Sequence, residues 1–330
     1  MIHDMQRREM LRLGAAGAGL LLAGAGARAQ GGWPTRPVTL VVPFPAGGGT
    51  DAFARPLAAQ FSKATGQTLV IDNRGGAGGT VGASIASKLA PDGYGLFMGA
   101  VHHAIAPAIY PKLDYDIEKD FVPIMLLANV PQVVVVNPKR VQQTTVKDFI
   151  AYAKKNPGKL NYASAGAGTS HHLAGELFKL QTGTFITHIP YRGAGPMLQD
   201  LIAGNVDCGF DGLGSSAQHI KAGRIKALMV AGNKRNPAFP DVPCAAEVGL
   251  PDYTVTTWYG LWAPKGTQAD AVAQITEQMR KTLGADELRT IWGNNGSEVP
   301  NVTGAAYGQF VHGEVQRWAG VVKASGAKLE

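Results

Sequence analysis

Short apolar runs alternate with longer segments of helical periodicity along most of this 330-residue chain. The first β-rich run covers residues 38–42, and an amphipathic pattern over residues 50–65 follows it after a glycine-rich turn. The same order recurs up to residue 231, and the turns between strand and helix contain Gly, Ser or Thr. Alternation of this kind predicts an α/β fold with mostly parallel sheets.

Two β-like runs bounded by prolines, residues 129–138 and 252–264, interrupt this alternation. A complete α/β unit lies between them, and the pieces of a second unit lie before and after. We therefore predict two lobes, the first formed by residues 30–131 with 255–330 and the second by residues 132–254. The two crossover segments would form the hinge between them. Residues 122–128, just before the first crossover segment, and residues 133–137, inside it, are predicted as separate strands.

The N-terminus has the pattern of an export signal. Three arginines precede an apolar run over residues 13–27, and Ala27-Arg28-Ala29 has the small-x-small pattern of a cleavage site. The run has about 15 residues, fewer than the roughly 20 that a membrane-spanning helix needs. We predict a signal peptide over residues 1–29, cleaved near Ala29, and a periplasmic protein; a membrane anchor is the alternative. Arg7-Arg8 also resembles a twin-arginine signal, so the export route stays open.

The charge pattern argues against nucleic acid as a partner. Removing residues 1–29 takes away four basic and two acidic side chains, so the formal net charge falls from +7 to +5. The remaining basic residues are scattered, whereas a nucleic-acid surface favours a basic stripe. No metal site is expected, because His102-His103 and His171-His172 are adjacent pairs whose side chains diverge. Cys208 and Cys244 are expected as two buried thiols, with a disulfide as the alternative.

Three glycine loops each precede a predicted helix and carry a hydroxyl residue at its start. They are Gly47-Gly48-Gly49-Thr50, Gly78-Gly79-Thr80 and the run from Gly166 to Ser170. Glycines let a ligand approach backbone N–H groups, and helix N-termini favour anions. The loops contain no Lys and fit neither the P-loop nor the dinucleotide spacing, so we predict a bound carboxylate and no cofactor. For each loop taken alone, the hydroxyl as a plain helix cap is the alternative.

Two further features add candidate contacts but no catalytic set. Asp211 ends a predicted strand, where α/β sheets place ligand contacts, and a cap for the helix near Ser215 is an equal alternative. A fourth glycine loop, Gly193-Ala194-Gly195, follows Tyr191 and Arg192. Arg192 is expected as a solvated surface charge, with a second ligand carboxylate as the alternative. A nucleophile elbow needs GxSxG, which the run ending at Gly166 lacks.

Several strings resemble the Bug/TctC family, the extracytoplasmic solute receptors of tripartite tricarboxylate transporters. They are "VPFPAGGGTD", "IDNRGGAGGTVGA", "APDGYGLFMG", "LDYDIEKDFVPI", "NPGKLNYASAGAGTSHHLAGELF", "YRGAGP" and "PDVPCAAEVGLPDY", and together they span the chain from about Trp33 onward. The resemblance implies a two-lobe, type II periplasmic-binding-protein fold that closes on a carboxylate. The ligand-binding residues that we predict are Pro45, Ala46, Gly47, Gly48, Thr50, Asp51, Gly78, Gly79, Ser164, Gly166, Gly168, Thr169, Gly193, Ala194 and Asp211.

The chain departs from the family pattern at two positions. Cys244 stands where Thr is frequent, at a site expected to be distant from ligand, and His171 stands where Ser is frequent. The resemblance implies that His171 bears on the distal pocket, whose floor would come from loops such as residues 101–106.

The expected protein is therefore a monomeric binding protein and not an enzyme. It would capture a small organic carboxylate and present it to the membrane permease subunits of a tripartite tricarboxylate transporter. The rival is an exported hydrolase or isomerase with Asp211 and His172 as acid–base partners. A ligand sensor for a two-component system is a third alternative.

Overall fold

The computed structural model of the protein describes residues 32–328, so the predicted signal peptide lies outside the described residues. Nine strands form the sheet in this part of the chain. They are β1 (Val38–Val42), β2 (Leu69–Asn73), β3 (Gly95–Ala100), β4 (Phe121–Val136), β5 (Asn161–Ser164), β6 (Thr187–Pro190), β7 (Cys208–Gly212), β8 (Lys226–Val230) and β9 (Thr256–Pro264).

Helices follow most of the strands, as the alternating pattern predicts. They are α1 (Gly49–Thr65), α2 (Thr80–Ala86), α3 (His102–Ile109), α4 (Val146–Lys155), α5 (Ser170–Thr182), α6 (Ala194–Ala203), α7 (Leu213–Lys221), α8 (Ala269–Leu283), α9 (Asp286–Asn294) and α10 (Gly304–Ser325). Short 3₁₀ turns form at Ala77–Gly79 and Ala246–Val248.

The sheet is mixed, with its parallel pairs at the two ends. Its order is β2-β1-β3-β9-β4-β7-β5-β6, and β8 also pairs with β4. Strand β1 lies parallel to β2 and β3, and β5 lies parallel to β6 and β7, with at least one helix in the chain between the two strands of each pair. The central strands β4 and β9 pair antiparallel with each other and with their neighbours. The α/β fold is confirmed, and the parallel pairing belongs to its βαβ parts.

Strand β4 is one continuous strand of 16 residues, so the prediction of two separate strands was wrong. Prolines at positions 123 and 131 suggested a break, but the antiparallel partner β9 accommodates both, with a register shift after Pro123. The pairing partner changes in the middle of β4. Pro131 is its last residue paired with β9, and Gln132 is its first residue paired with β7.

The C-terminal helices pack against strand β4 and against helices that precede it in the chain. Helix α10 lies against α3 and β4, while α8 and α9 lie against α1. A buried acid anchors α10, because Glu314 Oε2 accepts hydrogen bonds from the indole N–H groups of Trp258 at 2.8 Å and Trp318 at 3.1 Å. No helix among residues 32–328 is both long and apolar enough to cross a membrane. Both cysteines are free and buried, which favours the two-thiol expectation.

Candidate functional site

The first glycine loop joins β1 to α1 and leaves the start of α1 without a side-chain cap. Gly48 is the N-cap residue, and it has no side chain to offer. The first N–H groups of a helix have no partner inside it, so the amides of the Gly49 turn point outward. Thr50 lies one residue inside the helix and is 3% exposed. This loop therefore presents amides and a buried hydroxyl to whatever lies in front of α1.

Asp51 holds the first loop together. Its Oδ2 accepts hydrogen bonds from the Gly47 amide at 2.9 Å and from Arg55 Nε at 2.7 Å, and its Oδ1 accepts one from Asn73 Nδ2 at 3.2 Å. An acid in the first turn also interacts favourably with the helix dipole. The structure thus places the Asp51 carboxylate inside the scaffold of the loop, where its partners already satisfy both oxygens.

The second glycine loop packs directly on the first. A Cβ atom on Gly75 would lie 2.7 Å from Pro45 Cδ, so only glycine permits this approach. Gly78 and Gly79 both have positive φ, 61° and 96°, which lets the chain turn tightly before α2. The Tyr110 hydroxyl lies close to Gly78 and donates a hydrogen bond across to the Ala167 carbonyl at 3.3 Å.

The loop from Ser164 to Ser170 uses its own polar groups to hold its shape. Thr169 is the N-cap of α5, since its hydroxyl oxygen accepts a hydrogen bond from the His172 amide at 3.4 Å and its O–H donates to the Gly166 carbonyl at 2.7 Å. The Gly166 amide donates to Ser164 Oγ at 3.1 Å, and the Gly168 amide donates to His172 Nδ1 at 3.2 Å.

The fourth loop brings the start of α6 against the first loop. Gly193 faces Pro45, because a Cβ atom on Gly193 would lie 3.2 Å from Pro45 Cδ. A Cβ on Gly195 would lie 3.3 Å from the Ala46 carbonyl oxygen, and one on Gly48 would lie 3.8 Å from the amide nitrogens of Ala194 and Gly195. The first turns of α1 and α6 therefore face each other across a narrow gap.

These four loops surround a cavity of about 730 Å³, which we call the main cavity. Its lining consists of Phe44, Pro45, Asn73, Gly75, Gly76, Ala77, Gly78, Gly79, Tyr110, Ala165, Gly166, Ala167, Pro190, Tyr191 and Arg192. A second space of about 10 Å³, the inner chamber, shares two of these residues. Its lining consists of Phe44, Gly48, Gly49, Thr50, His102, Ala165, His171, Ala194 and Tyr259.

Two buried histidines face each other at the inner chamber. The ring centroids of His102 and His171 are 5.6 Å apart, with the rings nearly perpendicular. Burial lowers the pKa of His102 well below its ordinary value and also lowers the pKa of His171, although the nearby Asp211 raises the latter. The Ser170 amide donates to His102 Nδ1 at 3.0 Å, so the proton of the neutral ring is on Nε2.

Asp211 lies behind His171 and is fully buried. Its Oδ2 accepts hydrogen bonds from the hydroxyls of Ser215 at 2.7 Å and Ser216 at 2.6 Å, both in the first turns of α7. Its Oδ1 lies 3.5 Å from His171 Nε2 and has no hydrogen-bond partner among the described residues. The Asp211 carboxylate therefore supports α7 through two hydroxyls. It approaches His171, whereas the enzyme alternative paired it with His172.

A known family matches most of the chain, from inside α1 to beyond the end of α10. Residues 53–327 match the model described as the tripartite tricarboxylate transporter family receptor. The chain belongs to this receptor family. Protein BugT from Bordetella pertussis (strain Tohama I) is 35% identical to the receptor over 300 residues, which cover 90% of this chain and 92% of BugT.

Solved structures resemble the receptor as closely. The periplasmic binding protein BugD superposes with a TM-score of 0.86 and 34% identity, over 90% of this chain and all of BugD. A structure described as R. palustris Rpa4515 with adipate gives a TM-score of 0.85 and 38% identity, again over 90% and 100% of the two chains. The periplasmic-binding-protein fold is thereby confirmed.

The predicted site residues of the receptor fall into two groups. The structure places Pro45, Gly78, Gly79 and Gly166 at the main cavity, and Gly48, Thr50 and Ala194 at the inner chamber. Ala46, Gly47, Asp51, Ser164, Gly168, Thr169, Gly193 and Asp211 stand behind these surfaces, where they hold the loops in place. A ligand role for any of them stays a prediction.

Several lining residues of the receptor escaped the residue-by-residue prediction. Tyr259 reaches the inner chamber from β9, and Tyr110 and Asn73 reach the main cavity from distant positions in the chain. Only His102 had a signal, because it lies in the 101–106 segment that was expected to form the pocket floor. Arg192 lines the main cavity, so the alternative that it binds a second ligand carboxylate stays open. No group of three or more His, Cys, Asp or Glu within residues 32–328 has the arrangement of a metal site.

Proposed function

We propose that this receptor is a periplasmic solute-binding protein that captures a small organic carboxylate in the main cavity and delivers it to the membrane subunits of a tripartite tricarboxylate transporter. One observation carries this proposal: glycine loops line the main cavity, the starts of α1 and α6 line the adjoining inner chamber, and neither lining contains Asp or Glu. Outward-facing amides at helix N-termini favour an anion. A carboxylate fits them because they offer several donors in a small space.

The adipate in the R. palustris relative agrees with this ligand class. Family membership supports the transporter partner, since the matched family is defined as a receptor of such transporters. The signal pattern of residues 1–29 supports export to the periplasm. We propose separately that the protein is a monomer. Because the matched family is a transporter receptor family, we propose delivery to a permease in preference to signalling through a two-component system.

We further propose that residues 30–131 with 255–330 and residues 132–254 move as two lobes. The change of partner along β4 supports this boundary, because β9 pairs with it up to Pro131 and β7 from Gln132 onward. Several contacts at the cavity join the two proposed lobes, among them His102 with Ser170 and Tyr110 with Ala167. Hinge closure around a ligand is a common mode of such two-lobe folds.

The geometry gives the enzyme alternative little support, and we propose a receptor without catalysis. His172 Nδ1 already accepts a hydrogen bond from the Gly168 amide, and its ring stacks on His188 with 4.3 Å between centroids. His171 is the histidine next to Asp211, and its Nδ1 has no hydrogen-bond partner among the described residues. Among those same residues, no hydroxyl or thiol nucleophile is hydrogen-bonded to that ring.

The decisive experiment measures thermal unfolding of the purified protein against a panel of mono-, di- and tricarboxylates, followed by calorimetric titration of each stabilising compound. We expect a clear increase in Tm with at least one carboxylate and no turnover of the bound compound by mass spectrometry. A panel with no stabilising carboxylate would refute the ligand class, and consumption of the compound that His172→Ala abolishes would favour the enzyme.

A further inference from the structure

The main cavity contains one formal charge, and it is positive. Of its fifteen lining residues, Arg192 alone is charged at neutral pH. The two lining tyrosines are neutral, because burial raises the pKa of Tyr110, and burial together with the Asp200 carboxylate raises the pKa of Tyr191 to about 12. The cavity therefore offers an anionic ligand a cation without any competing carboxylate on its wall.

Arg192 has no acidic partner among the residues that the structure describes. Its side chain is exposed, and no ion pair formed within residues 32–328 includes it. Asp200, the nearest acid along α6, accepts hydrogen bonds from the Tyr191 hydroxyl at 2.7 Å and from Asn205 Nδ2 at 3.0 Å. Other arginines near the cavity are paired, as Arg55 is with Asp51 and Arg74 is with Asp72. The guanidinium of Arg192 is thus available to a ligand.

The glycine loops and Arg192 offer two different kinds of anion contact. The starts of α1 and α6 provide amide donors and partial positive charge, which suffice for one carboxylate without a cation. A guanidinium adds a full charge and a planar pair of donors that match a carboxylate in a bidentate geometry. A ligand with one carboxylate that sits at the helix starts would leave the second contact unused.

We propose, on the basis of the carboxylate-binding function above, that the ligand is a dicarboxylate and that Arg192 binds its second carboxylate. The amides of the glycine loops bind the first carboxylate, and the apolar wall of Phe44, Pro45 and Pro190 contacts the carbon chain between them. A cavity of about 730 Å³ has room for such a chain. Arg192 is then the residue that selects dicarboxylates over monocarboxylates of equal length.

The test is calorimetric titration of the purified protein with pairs of acids of equal chain length: succinate and butanoate, glutarate and pentanoate, adipate and hexanoate. For the best-fitting length, we expect the dicarboxylate to bind about tenfold or more tightly than its partner, as a charge-assisted bidentate contact implies. Arg192→Gln should remove that advantage, whereas the affinity for the monocarboxylate should change by less than about threefold.

Arg74→Gln is the matched control. Arg74 precedes the second glycine loop, is exposed, and is paired with Asp72 at 2.8 Å, and it does not line the cavity. This variant loses the same charge, so a dicarboxylate affinity that stays within about threefold of wild type supports a direct contact by Arg192 over long-range attraction. An equal loss in both variants would overturn the proposal.

Other outcomes separate this proposal from the function on which it rests. If carboxylates bind but each pair has equal affinities, or if Arg192→Gln weakens both members of a pair equally, the dicarboxylate assignment is wrong and the receptor function stands. If no acid of either class binds, the receptor function itself fails. Far-ultraviolet circular dichroism of each variant verifies that the exposed substitution leaves the fold intact.

Discussion

The first glycine loop and the Ser164–Ser170 loop look alike in sequence, yet only the second of them has a side-chain cap at the start of its helix. The Ser164–Ser170 loop is stabilised by hydrogen bonds within its own segment, which involve the Thr169 cap and the Gly166 and Gly168 amides. In the first glycine loop the Gly47 amide donates to Asp51, and close packing sets the position of the helix start, since the Tyr259 hydroxyl occupies the space where a Cβ of Gly49 would be. The start of α1 lines the inner chamber, whereas the Gly166 and Gly168 amides of the other loop donate to side chains of their own segment.

A difference of position relative to the helix start explains the contrast. Thr169 is itself the N-cap of α5, so its oxygen reaches an amide of the first turn. In the first loop Gly48 is the N-cap, and Thr50 falls inside α1, where no side-chain cap forms. A glycine run followed by a hydroxyl thus predicts a helix start, while the position of that start decides whether the hydroxyl serves the helix or faces the ligand space.

The largest expected effect is on pH-dependent stability, because imidazoles are hydrogen-bonded to the Ser164–Ser170 loop at both Ser164 and Ser170. His188 Nε2 lies 2.7 Å from Ser164 Oγ, and burial lowers the pKa of His188 to about 4. The pKa of His102 is also lowered by burial. A histidine whose pKa is depressed in the folded state stabilises the fold above pH 6.5, and this stability is lost as the pH falls towards the folded pKa. From His188 we expect a loss of roughly 2 kcal/mol between pH 6.5 and 5, and His102 should act in the same direction.

Urea unfolding at pH 7.5, 6.0 and 5.0 measures this loss. His188→Gln should reduce the dependence on pH, because the unfolded chain then takes up one proton fewer. His312 is exposed and paired with Glu118, so His312→Gln is the control that should keep the wild-type slope. A slope unaffected by His188→Gln would show that His188 does not support the loop in this way.

An intermediate effect is expected when the packing of the first loop is disturbed. In Gly49→Ala the new methyl group would overlap the Tyr259 hydroxyl, and overpacking of this kind costs about 1–3 kcal/mol. This outweighs the gain in helix propensity of at most about 1 kcal/mol. We expect lower stability and weaker carboxylate binding, measured by urea unfolding and calorimetry. Removing the hydroxyl with Tyr259→Phe should restore both in the double variant, and a double variant no better than Gly49→Ala would contradict the packing explanation.

The smallest effects should separate the two threonines. Thr169→Ala removes a cap and should lower the free energy of unfolding by about 1 kcal/mol while affinity changes little. Thr50→Ala removes a hydroxyl without a cap role and should weaken carboxylate binding by roughly 2- to 10-fold at unchanged stability. Each variant serves as the control for the other. The opposite pattern, with stability lost in Thr50→Ala and affinity lost in Thr169→Ala, would reverse the assignment of the two loops.

Local patterns were sufficient for most of the elements. Periodicity predicted the βα order, and glycine loops before helices predicted the segments that surround the cavity. The same reasoning was wrong about β4, because two prolines indicated a break that pairing with β9 removes. The family resemblance placed Asp51 with the ligand-binding residues, and that role stays a prediction; in the structure its two oxygens accept hydrogen bonds from Gly47, Arg55 and Asn73. Asn73 lies 22 positions away, and no local pattern identifies that partner.

The sequence by itself determined the α/β class, the four glycine loops and membership of the receptor family, because these depend on short-range periodicity and on motifs that remain contiguous. Only the tertiary structure decided which groups meet at the cavity. His102 and His171 approach to 5.6 Å, and Arg192 is the lone charge on the cavity wall, because strands far apart in the chain pair in one sheet. Such long-range contacts depend on strand order, on register and on the position at which each helix begins. Local propensities do not determine these.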